Sequence, residues 1–223
     1  MALNIAVDGP AGAGKSSIAD EVARRLGILH LDTGAMYRAV GLRCLREGVP
    51  VTDEQAVTAL CARLRVGVEH GEGGQRTLLD GEDVSALIRT PEVSKAASAV
   101  AKYAGVRTAM VAAQREMAAT TDMLMDGRDI GTRVLPDAPL KVYLTAAPEE
   151  RARRRYLDLA AENPGITYAE ALRDLIRRDE QDMNREVDPL RPAEDSVTVD
   201  STLLSFDEVV EKIVALAEAV RHG

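Results

Sequence analysis

Residues 9–17 read GPAGAGKSS, one residue after the apolar run Leu3-Asn4-Ile5-Ala6-Val7. The pattern is G-x-x-x-x-G-K-[ST], with Gly9, Gly14, Lys15 and Ser16 at the fixed positions. Of everything in the chain, this stretch limits the fold most. A buried strand, a glycine loop and a helix must follow one another so that backbone N–H groups turn inward around phosphate oxygens. The helix N-terminus then adds a dipole that favours negative charge. Gly9, Pro10, Ala11, Gly12, Ala13, Gly14, Lys15, Ser16 and Ser17 therefore form a cradle for the triphosphate of a nucleotide. Lys15 is expected to reach the β- and γ-phosphates as a catalytic cation, and the Ser16 hydroxyl to ligate Mg²⁺.

The rest of the chain supplies the layers that such a loop needs. Residues 15–26 carry Ile18, Val22 and Leu26 on one helical stripe. Short apolar runs at 3–7, 28–31, 123–125, 140–144 and 197–199 read as buried strands. Helical patterns lie between them, at 33–47, 53–64, 91–117, from Pro148, and at 167–184 and 206–220. Alternating strands and helices predict an α/β fold of three layers, α/β/α, around a central five-stranded parallel sheet. The stretch Val66–Val84 differs: short alternating segments flank the turn signals HGEGG and DGED, which predicts a small antiparallel β insertion over about 66–90.

Composition excludes several classes. The 223 residues lie between one and two average domains, and at 46% hydrophobic and 29% charged they read as an ordinary soluble globular protein. No apolar run approaches the roughly 18 residues of a membrane span, and the N-terminus lacks a basic leader, so a cytoplasmic protein without membrane partner is expected. The formal charge of −8 argues against nucleic acid as a partner. Cys44 and Cys61, without C-x-x-C spacing, read as reduced thiols. His30, His70 and His222 lack ligand spacing, so no zinc site is expected. No N-K-x-D guanine reader and no L-S-G-G-Q-like signature follows the loop, which turns attention from switches and transporters to small phosphoryl-transfer enzymes.

Three further clusters combine arginine with acids. In DTGAMYR, Asp32 ends a strand, Thr33 caps a helix and Arg38 lies on that helix. DGRDIGT, residues 126–132, ends another strand and sets Arg128 between Asp126 and Asp129. In RRDEQDMNR, Arg178, Asp182 and Arg185 are spaced to share one helix face. Ligands of open α/β sheets bind at the carboxyl ends of the strands, which places Asp32 and residues 126–132 beside the phosphate loop. From the residues alone, kinases of another nucleotide or of a small metabolite such as shikimate, and a nucleotide-binding switch, stay open.

Taken in order and spacing, GPAGAGKSS, LDTGAMYR, DGEDVSALIRTPEVSKAAS, DGRDIGT and RRDEQDMNR resemble the bacterial cytidylate kinases, nucleoside monophosphate kinases of the P-loop class. The likeness runs nearly end to end. It implies a monomeric enzyme that transfers the γ-phosphoryl group of ATP to CMP or dCMP. It implies a monophosphate-binding region over 33–118 and a lid over 148–165 as mobile parts of a single domain, 1–223. Carried over residue by residue, Ser98, Arg107 and Asp129 read the cytosine ring, Arg178 and Asp182 hold the ribose, and Arg38, Arg128 and Arg185 the acceptor phosphate. Asp32 joins this set; Arg128 and Arg185, with Lys15 and Arg154, are the catalytic cations. Arg151, Arg154 and Arg155 of PEERARRR are the lid arginines. Asp126 is read as a strand-end acid without an assigned role. An aspartate at 129 suits cytosine because the base offers an exocyclic amino donor where uracil has a carbonyl oxygen.

Overall fold

The computed structural model describes residues 3–71, 74–162 and 165–222. Glu72 and Gly73 of the expected insertion turn, and Asn163 and Pro164 at the end of the expected lid, lie outside the described residues, as do the two residues at the N-terminus and the last at the C-terminus.

Five strands form one parallel sheet: β1 (Asn4–Asp8), β2 (Leu29–Asp32), β6 (Met123–Gly127), β7 (Leu140–Thr145) and β8 (Val197–Asp200), in the order β2-β6-β1-β7-β8. Their side chains alternate between two covered faces. Ala6, Leu31, Met123 and Met125 pack with α2 (Thr33–Glu47), α3 (Glu54–Cys61), α4 (Pro91–Val100) and α5 (Ala104–Thr120). Ile5, Val7, Leu124, Val142 and Val199 pack with α1 (Lys15–Leu26) and α8 (Phe206–His222). Burial on both faces is why these strands are short and apolar rather than alternating. Helices α6 (Pro148–Glu162) and α7 (Tyr168–Asn184) pack against each other. The antiparallel insertion is β3 (Val66–Gly71), β4 (Gly74–Leu79) and the two-residue β5 (Glu82–Asp83). Among the described residues no helix is long and apolar enough to cross a membrane. Cys44 and Cys61 are free and buried.

The sheet order puts β1 between β6 and β7, so the turns that leave β1, β2, β6 and β7 gather at one edge. β2, at the sheet's margin, has its open edge capped by side chains of the insertion. The Asp32 N–H donates to Gln75 Oε1 at 2.7 Å, Gln75 Nε2 donates to the Asp32 carbonyl at 3.3 Å, and His70 Nε2 donates to the His30 carbonyl at 2.6 Å. Backbone groups that would otherwise template another chain are thereby satisfied.

Three expectations fail in the helices. Asp32, not Thr33, caps α2: its Oδ1 accepts from the Ala35 N–H at 3.0 Å, while the Thr33 hydroxyl donates to the Asp126 carbonyl at 2.7 Å. The pattern over 91–117 is not one helix. It breaks at Ala101–Tyr103, where Tyr103 turns inward to donate its hydroxyl to the Val51 carbonyl at 2.8 Å. Gly105 then lies so close to Thr58 that a Cβ would meet its Cγ2 at 2.2 Å. Packing of α5 on α3 overrides a periodicity that runs straight through. Arg185 does not share the helix of Arg178 and Asp182 either: with φ −65° and ψ 144° it is the first residue beyond α7.

Candidate active site

The loop between β1 and α1 takes the shape its glycines permit. Gly9, Gly12 and Gly14 have φ of +153°, +71° and +84°. At Gly9 a Cβ would stand 1.9 Å from the Leu144 carbonyl oxygen of β7, so no other residue fits. No side chain caps α1, which leaves its first-turn N–H groups facing the loop. The back of the loop is clamped from α6 and α7. The Ala11 N–H donates to Asp179 Oδ1 at 3.1 Å, and Arg151 Nη1 donates both to the Ala11 carbonyl at 2.9 Å and to Asp179 Oδ2 at 2.5 Å. Arg151 and Asp179 are buried.

Lys15 is buried and donates to the Pro10 carbonyl at 2.8 Å. Burial first, and then repulsion from Arg128, push its ammonium down to about 7. An anion entering the loop offsets both effects by attraction. Asp8, before the loop, accepts from the Ile130 N–H at 2.8 Å and the Gly131 N–H at 2.7 Å, and so ties the DGRDIGT turn to β1. Burial raises its carboxyl to about 6 despite those two donors. Residues 130–134 follow as a single π-helical turn.

Asp126, the strand-end acid, has more to do than its place in the sequence announced. It is buried, with Oδ2 accepting from the Ser16 hydroxyl and Oδ1 meeting His30 Nε2, each at 2.8 Å. Burial opposes its charge, but His30, Lys15 and Ser16 hold its carboxyl below the usual range. A hydroxyl and an adjacent carboxylate at a phosphate loop are hard oxygen donors. Mg²⁺ commonly keeps one or two protein oxygens and takes the rest from phosphates and water. No cluster of three metal-ligating side chains occurs among the described residues, and such a pairing needs none. The donor set fits Mg²⁺.

Beside the loop lies a second, arginine-rich surface. Arg38 Nη2 donates to Asp32 Oδ2 at 2.5 Å while its buried Nε has no partner. Arg128 Nε donates to Asp182 Oδ2 at 2.7 Å. Burial opposes the Asp182 charge, but Arg128 keeps the carboxyl below its ordinary range. Arg178 makes no hydrogen bond or close ion pair among the described residues. Burial, then repulsion from Arg128, Arg155 and Arg38, lowers it to about 10. Arg155 is likewise without a close partner, whereas Arg154 binds Glu150 at 2.9 Å and the Ser201 carbonyl at 2.8 Å. Cations left unpaired or half-satisfied in one neighbourhood make a site for a multiply charged anion.

Asp129 is buried between two arginines: Arg107 Nη2 bonds to Oδ2, and Arg185 Nη2 donates to Oδ1 at 3.0 Å. Arg107 is fully buried and lies 5.7 Å from the centre of the Tyr37 ring. Ser98 is half-buried on α4 without a hydrogen bond among the described residues. The structure thus joins Lys15, Arg128, Asp182, Arg178, Arg38 and Arg155 in one electrostatic neighbourhood, and Arg107, Asp129 and Arg185 in one network. It leaves Arg154 engaged with Ser201, just beyond β8. Asp8, His30, Asp179 and Asp188 escaped the sequence reading. Only Asp8 carried a signal, an acid wedged between a buried strand and the first glycine.

Comparison with known proteins adds a second line. A protein-family model described as cytidylate kinase matches residues 5–219. A cytidylate kinase of Caldicellulosiruptor bescii is 48% identical over 214 residues, 96% of this chain and 95% of that protein. One of Bacillus velezensis is 45% identical over 216 residues, 97% and 96% of the two chains. Among solved structures, a shikimate kinase of Bacteroides thetaiotaomicron superposes with a TM-score of 0.50 at 14% identity, covering 97% of this chain and 98% of that one. An uncharacterized protein of Eubacterium ventriosum superposes with a TM-score of 0.51 at 12% identity, over 97% and 98% of the two chains. At those identities the structural likeness speaks for the fold alone.

Proposed function

The chain belongs to the cytidylate kinase family, and from that premise we propose how its residues divide the work of phosphorylating CMP or dCMP at the expense of ATP. The enzyme is an ATP-dependent kinase that yields CDP or dCDP and ADP. The assignment of residues rests above all on one observation: the phosphate loop and the under-paired arginines Arg38, Arg155 and Arg178 share one sheet edge.

Residues 9–17 hold the triphosphate of ATP, with Lys15 drawn from the Pro10 carbonyl to the β- and γ-phosphates. Ser16 and Asp126 would hold Mg²⁺, which supplies charge neutralisation between the phosphates when bound. Arg38, Arg128 and Arg185 take the acceptor phosphate, and Arg178 and Asp182 the ribose. Ser98, Arg107 and Asp129 read the base, Asp129 accepting from its exocyclic amino group. An acceptor phosphate oxygen attacks the γ-phosphorus as the bond to the β–γ bridging oxygen breaks and ADP departs. The acceptor phosphate is already largely ionised at neutral pH, its second pKa being about 6, so no side chain must remove a proton. Catalysis is positioning and charge neutralisation. Arg128 parts from Asp182 and Arg38 from Asp32 as the anion replaces those acids.

Water exclusion requires the site to close, which assigns movement to the regions 33–118 and 148–165, with Arg151, Arg154 and Arg155 on the latter. Arg151 serves through its clamp on Ala11 and Asp179. The likeness to the family supports a cytoplasmic monomer whose partners are ATP, CMP and dCMP; the acidic balance argues against nucleic acid, and the lack of a long apolar run against a membrane.

A coupled ADP-release assay over CMP, dCMP, UMP, AMP, GMP and dTMP tests the reading. CMP and dCMP should lead, and Arg38→Ala should raise the CMP KM while leaving that for ATP within about twofold. Equal effects of Arg38→Ala on both substrates would remove Arg38 from the acceptor site.

A further inference from the structure

Beyond α7 the chain makes a tight return, and its apex is unusual. Asp188 has φ +47°, one of only two non-glycine residues at positive φ among the described residues. Left-handed backbone is unfavourable for any residue with a Cβ, and the residue before a proline is pushed to extended conformations besides. Asp188 precedes Pro189 and so violates both preferences at once. Strain of this kind persists where surrounding contacts over-determine it.

Those contacts are visible. Asp188 Oδ2 accepts from Arg107 Nε at 2.9 Å, and Oδ1 lies 3.5 Å from Arg133 Nε. The Asp188 carbonyl accepts from Arg185 Nε at 2.5 Å. Beside it the Leu190 N–H donates to the Asp182 carbonyl at 2.8 Å and anchors the return on α7. One residue therefore grips Arg107 through its carboxylate and Arg185 through its backbone. Each arginine also donates to Asp129, and Arg107 Nη1 donates besides to the Ala101 carbonyl at 3.2 Å. The left-handed turn is what lets carbonyl and carboxylate serve the two arginines together.

We propose that Asp188 is a positioning residue for base recognition: it sets Arg107 and Arg185 around Asp129, and thereby fixes the pocket that distinguishes cytosine from uracil. The inference rests on the reading of Arg107 and Asp129 as base readers. It makes a different demand from a site in which Asp188 merely occupies the arginines until substrate arrives. A placeholder loosens CMP binding, whereas a positioning residue tightens it.

The test uses the full-length enzyme with Asp188→Asn and Asp188→Gly. Asparagine tolerates positive φ and keeps the carbonyl but loses the charge; glycine removes the carboxylate and the strain together. For each variant, KM and kcat are measured for CMP, UMP and ATP, CMP affinity by calorimetry, and the unfolding midpoint without substrate. Both variants should raise the CMP KM and dissociation constant about tenfold. They should lower the CMP-over-UMP preference by a similar factor and leave the ATP KM within about twofold. Asp188→Gly should fold at least as stably as Asp188→Asn, which keeps the measurement open should the latter unfold. Unchanged or tighter CMP binding in the folded variants overturns the proposal. Asp129→Asn, run alongside, separates the two layers. If it lowers the CMP-over-UMP preference while the Asp188 variants do not, positioning by Asp188 is wrong and the base site stands. If it leaves the preference intact, the base site fails and the proposal falls with it.

Discussion

Asp8 offers a measurement in which burial and charge can be set against each other. Its carboxyl is raised from 3.8 to about 6, burial being the main cause and the Ile130 and Gly131 N–H groups the main opposition. The folded state thus binds this proton more tightly than the unfolded chain. The contribution to stability is fully present below about pH 3.8 and is lost as pH climbs through 6. The full difference of two units is worth about 3 kcal/mol, and about 2 kcal/mol of it falls between pH 4.5 and 8. Asp8→Asn is neutral throughout. It keeps one carbonyl for one of the two N–H groups and turns an amide donor toward the other, a penalty of about 1–3 kcal/mol that does not vary with pH. In urea unfolding the gap between the two proteins should therefore narrow by about 2 kcal/mol from pH 4.5 to 8. At a slope of about 2 kcal/mol per molar urea, that is about 1 M in the difference of midpoints. Groups that do not interact with Asp8 contribute nearly equally to both proteins and drop out of the comparison. A gap that stays constant across this range would refute the reasoning, because it would mean that the buried carboxylate costs the fold nothing.

Other expected outcomes follow from the same geometry. Gly9→Ala drives a Cβ to 1.9 Å from the Leu144 carbonyl in a backbone region hostile to side chains, so it should cost several kcal/mol; a melting midpoint within about 2 °C of wild type would contradict that packing. Lys15→Ala should largely abolish turnover, and near-normal kcat would overturn the cradle. Arg178→Met removes a cation that lacks a close partner while keeping its apolar length. It should raise the unfolding midpoint of the substrate-free enzyme and raise the CMP KM more than tenfold, and a lowered midpoint would show that Arg178 is already satisfied.

The phosphate loop was legible because its constraint is local. Glycine at positions 9, 12 and 14 is demanded by backbone angles and by one close carbonyl, and such demands are written residue by residue. The strands were legible for a related reason, since a sheet buried on both faces needs short, wholly apolar runs, and the five expected runs became the five strands. The insertion declared itself through turn residues and alternation. The break at Ala101–Tyr103 did not, because it answers to Val51 and Thr58, both more than 40 residues away in sequence. Asp126 looked like any acid at a strand end until the parallel register of β1, β2 and β6 brought Ser16 and His30 to its two oxygens.

By itself, then, the sequence determined a parallel α/β sheet, a glycine loop with the pattern of a phosphate cradle at one of its edges, and a set of arginines and acids able to serve a second anion. Which acid faces which arginine was decided only by the tertiary structure. Charge pairing has no periodicity: any of 28 basic residues can meet any of 36 acids, and sequence spacing restricts the choice only within a helix. The sheet order, the return of the chain after α7 and the left-handed turn at Asp188 select the pairs. They place Asp129 between Arg107 and Arg185, and leave Arg178 without a close partner among the described residues.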